Sequence, residues 1–184
     1  MKKAFPILLT VLGVVFLAGG FYAGFRGLDA RQQVRDELIA QRITTPADAS
    51  IPNARVDDAR TAQSMADIIA VHADESTGGR TYSEMGRYLA VGGGDTNEAE
   101  AAVKGADGKP VANPLRNVAF QASSLRTSLY ASIMAFNVAD LVIGLGLMIG
   151  VLGLAVGGVG VALAGLAIPS FARKVHVEPI AASH

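Results

Sequence analysis

Two runs without a charged side chain, residues 4–25 and 141–168, constrain this chain more than any other feature. At 1.5 Å of rise per residue, a helix over the first run spans about 30 Å, the thickness of a bilayer's hydrocarbon core. A helix over the second spans about 42 Å, so it must tilt or project beyond the bilayer. Charged residues make up 17% of the whole chain, against about 25% in an ordinary soluble domain. The deficit sits in these two runs, and the segment between them has soluble composition. That unevenness implies a membrane protein with a helical aqueous domain.

The first run follows Lys2 and Lys3, as a signal peptide would. It is longer than a signal's apolar region, and no small-x-small cleavage site fits. Cleavage after Ala23 would leave Phe21 at the −3 position, and cleavage after Ala18 would leave Phe16 there. The expectation is an uncleaved anchor. Arg173 and Lys174 close the second run. Basic residues on both short flanks place both termini in the cytoplasm of a plasma-membrane protein. The expected order is a cytoplasmic start at 1–3, a span at 4–26 and an extracytoplasmic helical domain at 27–136. A second span at 137–169 and a cytoplasmic tail at 170–184 follow. The fold class expected is all-α, a two-helix hairpin bearing this domain.

The second run carries a regular pattern. Gly146, Gly150, Gly153, Gly157, Gly160 and Ala164 recur at alternating intervals of four and three. Small residues on one face let two helix backbones approach, which is how membrane helices pack without a hydrophobic drive. Gly13, Gly20, Gly24 and Gly27 form a shorter counterpart in the first run. The partner of this seam is either the first helix of the same chain or a neighbouring subunit.

Between the spans, a helix continues out of the first run toward Ile43 and stops before Pro46. Asp57 or Asp58 starts a second helix, which Gly78-Gly79 ends. Thr81-Tyr82-Ser83-Glu84 reads as a capping box opening a helix that carries Met85, Tyr88 and Leu89. Asp95 or Thr96 caps a short polar helix reaching Lys104, and residues 105–114 form a loop. Asn113-Pro114 opens a last helix with no breaker before Pro169. On it, Val118, Ser124 or Leu125, Leu129 and Ile133 are expected to face the domain. No alternating apolar run signals a strand.

Chemistry is sparse. On this topology His72 stands outside and His176 and His184 inside, so they share no metal. No catalytic, metal or cofactor constellation is found. Asp140, near the outer boundary of the second span, is expected to meet headgroups or to pair with Arg126 or Arg26. The densest polar stretch runs from His72 to Glu84. Within it His72, Glu75, Arg80, Tyr82 and Glu84 are the candidates for a ligand or partner surface. A net charge of zero gives no sign of nucleic acid, and the absence of cysteine excludes disulfides, thiolate chemistry and iron–sulfur clusters. The expected partners are the bilayer and other membrane chains.

Three stretches carry a resemblance: Arg42-Ile-Thr-Thr-Pro-Ala-Asp-Ala-Ser-Ile-Pro52, Glu75-Ser-Thr-Gly-Gly-Arg-Thr-Tyr-Ser-Glu-Met85 and Ser123-Ser-Leu-Arg-Thr-Ser-Leu-Tyr130. With the glycine-rich second span, they resemble a family of uncharacterised two-span membrane proteins from actinobacteria. Some similar sequences carry a ring-opening dioxygenase label. This chain lacks the set of two histidines and a carboxylate on one side of the membrane that such an iron site needs. The reading that follows is a non-enzymatic membrane protein acting through association with itself or with an envelope complex. A sensor or ligand-binding module using the outer domain is the alternative, ahead of a membrane enzyme or channel.

Overall fold

The computed structural model describes residues 4–167 and is mostly helical. Helix α1 runs Ala4–Ala40, α2 Ala59–Thr77 and α3 Pro114–Ala167, with a 3-10 turn at Tyr82–Glu84. Strands β1 (Tyr88–Leu89) and β2 (Asp95–Thr96) pair antiparallel, Tyr88 opposite Thr96. The flanking residues Lys2, Lys3, Arg173 and Lys174, together with His176 and His184, lie outside the described residues.

The chain divides into two compact units, residues 4–30 with 138–167, and Arg31–Asn137. In the first unit, α1 and α3 each supply a stretch long and apolar enough to cross a membrane. A core helix of a soluble protein would bury such a stretch. Here most of it is exposed, Phe21 at 79% and Met148 at 69% among the extremes.

The two helices of this unit run antiparallel, with Thr10 beside Gly160, Gly20 beside Gly146 and Gly150, and Gly27 beside Ala139 and Ile143. The buried glycines recur every seven residues on each side: Gly13, Gly20 and Gly27 against Gly146, Gly153 and Gly160. A β-carbon at Gly20 would lie 2.5 Å from the Gly146 carbonyl oxygen and the Gly150 nitrogen. One at Gly153 would lie 2.6 Å from the Leu17 nitrogen and 2.7 Å from the Gly13 oxygen. One at Gly160 would lie 2.6 Å from the Thr10 nitrogen. Backbone thus sits where any side chain would go, so the first helix of the same chain occupies this face. Gly24 and Gly150 border it but have open space at the β-carbon position, Gly157 has only an ordinary contact with Gly13, and Ala164 is half-buried.

The second unit is built on a small apolar core. Leu38, Val56, Ala62, Ala66, Leu129 and Phe136 are buried together, with Val34, Ile43, Met65, Ile69 and Ile133 against them. Asp58 caps α2, its carboxylate accepting from the Thr61 N–H at 2.7 Å. Burial raises the Asp58 pKa, but the hydrogen bonds from the Thr61 N–H and hydroxyl outweigh it and hold it below the ordinary carboxylate range. Gly78 ends the helix in the left-handed conformation. The loop before α2 is tied down by Thr45, buried to 1%, whose hydroxyl donates to the Ile51 carbonyl and accepts from the Ala54 N–H. Ser64 on α2 accepts from the Ile51 N–H at 2.9 Å.

Two expectations are corrected here, and a third holds in part. Residues 85–91 are not a helix: the capping box at Thr81 and Glu84 closes a single 3-10 turn, and Tyr88 and Leu89 enter a strand. Residues 95–104 are not a helix either. They form β2 and then bridges that pair Ala90 with Ala102 and Lys104 with Pro110. Bonds from Val103 N–H to Leu89 O and from Val111 N–H to Val103 O give this region its backbone partners. On α3, Leu129 and Ile133 meet the core, and Val118 and Leu125, 37% and 55% exposed, face α2 across a groove instead of entering the core.

Candidate functional site

Within the second unit, the end of α2, the turn after it and the first turns of α3 border an open cavity of about 350 Å³. Its walls carry Asp74, Thr77, Arg80, Tyr82, Ser123 and Arg126 among small alanines. Gly78 and Gly79, both at positive φ, turn the chain so that Arg80 and Tyr82 come back toward α3.

Arg80 is committed structurally. Its Nη2 donates to both oxygens of Asp95 at 2.9 Å and to the Glu84 carbonyl at 2.8 Å. Asp95 also accepts from the Gly86 N–H, and the buried Asn113 amide donates to the Gly86 carbonyl at 3.1 Å. The Arg80 guanidinium, followed by the Gly86 N–H, holds the Asp95 carboxyl below its ordinary range. This node holds Arg80 in place by tying the turn after α2 to β2 and to the cap of α3.

Tyr82 forms one wall. The Arg116 guanidinium lies 3.9 Å from its ring centroid and Phe120 packs at 5.7 Å, so the ring is held by a cation–π contact and an aromatic contact. Glu84 does not line the cavity. It accepts from the Thr81 N–H and then the Thr81 hydroxyl, both at 2.7 Å, and these bonds lower its pKa. His72 lies in a neighbouring groove of about 210 Å³, where Val118 and Leu125 also sit. Its Nε2 is 2.6 Å from Asp48 Oδ2, a surface contact that lowers the Asp48 pKa. Glu75 is exposed and outside the cavity.

Of the five surface candidates, the structure brings only Arg80 and Tyr82 into the cavity wall. Asp74, Ser123 and Arg126 join them there. Asp74 belongs to the same polar stretch as Arg80 and Tyr82. Ser123 and Arg126 belong to a helix distant in sequence, and the visible signal was a polar patch from Ser123 to Ser128 in a helix otherwise reading as apolar. Arg126 is distinctive: its Nε is buried and no group among the described residues accepts from it. Its guanidinium stands 5.9 Å from the Tyr130 ring centroid. Arg26 pairs with Asp29 at 3.4 Å. No protein family, curated protein or solved structure matches the chain.

Proposed function

We propose that this chain is a two-pass plasma-membrane protein whose extracytoplasmic unit, residues 31–137, binds a small polar ligand without chemical turnover. The observation that carries the reading is the cavity of about 350 Å³, within the range of small-ligand sites, with polar side chains converging from α2, the following turn and α3. The anchor is supported by two long helices whose exposed apolar side chains need a hydrocarbon surrounding. Basic residues at 2, 3, 173 and 174 support cytoplasmic ends. Two of the three stretches that resemble two-span actinobacterial proteins, 75–85 and 123–130, supply most of the cavity lining.

A thermal-shift screen of the purified full chain against small polar metabolites tests the reading. Some compounds are expected to raise the Tm of the wild type but not of Ala119→Phe, which fills the cavity. A screen in which every compound acts equally on both proteins, or on neither, contradicts it.

A second reading, association with another chain through the outer unit, draws on Leu115, Val118 and Leu125. They form an exposed stripe at helical spacing on α3. A monodisperse monomer in mild detergent argues against it.

A further inference from the structure

Buried hydrogen-bond donors are nearly always satisfied, so an arginine Nε without an acceptor needs an explanation. Arg126 is that exception among the described residues: its Nε is closed to solvent, while the side chain lines the cavity and makes no ion pair among those residues. The other cavity arginine is not free to act, being bound to Asp95 and the Glu84 carbonyl. The cavity also contains one carboxylate, Asp74, with no ion pair or side-chain hydrogen bond among the described residues. Asp74 and Arg126 therefore share one small space as opposite charges that do not pair with each other. A simple anion entering it would meet Arg126 but be repelled by Asp74. A simple amine would meet the reverse. A molecule bearing both charges satisfies both walls.

We propose that this cavity binds a small zwitterion of the amino-acid type, its carboxylate on Arg126 and its ammonium on Asp74. The guanidinium fork matches a carboxylate in shape and charge, which a lysine would not. Ser123 and the buried Thr77 place hydroxyls in the same wall for further hydrogen bonds. Tyr82, fixed by Arg116 and Phe120, offers a flat surface to a side chain. The proposal rests on the ligand-binding reading above and specifies its ligand.

The test is thermal unfolding and equilibrium binding of the full chain in detergent with each of the twenty common amino acids in turn. Propionate and propylamine serve as carboxylate-only and amine-only probes. At least one amino acid is expected to bind saturably, with neither single-charge probe matching it. Arg126→Gln and Asp74→Asn should each weaken that binding by about tenfold or more, which corresponds to ~1.4 kcal/mol. Asp74 is exposed, so its variant keeps the test decisive should Arg126→Gln fold poorly. Absence of binding by all twenty, equal binding of propionate, or binding unchanged in Asp74→Asn overturns the proposal. If other compounds still stabilise the wild type and not Ala119→Phe, the cavity remains a ligand site and only the zwitterion is wrong.

Discussion

Gly153→Ala is expected to destabilise the chain, whereas Gly150→Ala, only three residues away on the same seam, is expected to leave it unchanged or slightly more stable. The difference lies in what a β-carbon meets. At Gly153 it would fall 2.6 Å from the Leu17 nitrogen and 2.7 Å from the Gly13 oxygen, and neither backbone atom can swing aside. The helices must separate locally, and contact along neighbouring positions weakens with them. Overpacking of this kind costs about 1–3 kcal/mol, and Gly153→Leu should reach the upper end or exceed it. At Gly150 nothing lies within 4 Å of the new atom. There alanine only removes glycine's entropic disadvantage in a helix, about 0.5–1 kcal/mol. Thermal unfolding in detergent, followed by protease resistance of the 31–137 unit, measures both. Equal effects at the two positions would mean that the buried glycines do not hold these helices together.

Phe136→Ala should be the most damaging single truncation in the second unit. Phe136 is 2% exposed and packs in the cluster with Leu38, Val56, Ala62, Ala66 and Leu129. Removing a buried phenyl costs about 3–5 kcal/mol, the lost transfer energy plus the cavity left behind. The chain has no cysteine, so no disulfide limits the damage. Against a typical domain stability of about 5–15 kcal/mol, that is a large share. Leu125→Ala, at a 55% exposed position on the same helix, should change the midpoint little. Similar losses at both positions would place the core elsewhere.

The helical frame was legible because its signals are local. Asp58 and Gly78 bound α2, and Asn113-Pro114 opens a helix that no residue interrupts. The segment from 85 to 104 hides its fold from a local reading because its strands are two residues long and show no alternation. Its turns carried the information instead. Gly92-Gly93-Gly94 and Asp107-Gly108 are hairpin signals, and the bridge between Lys104 and Pro110 closes over the second of them. The seam's spacing was visible, but its alternation of four and three concealed that only every seventh glycine is pressed against backbone. The cavity was half legible. Arg80 and Tyr82 stand in one polar stretch, whereas Arg126 joins them only through tertiary folding, which no local pattern encodes.

Sidedness of the 31–137 unit tests most directly the proposal that the chain crosses the membrane twice and presents a binding unit outside the cell. Because the chain has no native cysteine, single substitutions report cleanly. Glu98 is exposed in that unit, and Ser183 stands in the basic-flanked tail. With a membrane-impermeant maleimide on intact cells, Glu98→Cys should be labelled at once, and Ser183→Cys only after permeabilisation. Labelling of Ser183→Cys on intact cells, with Glu98→Cys protected, would reverse the orientation and contradict an extracytoplasmic ligand site.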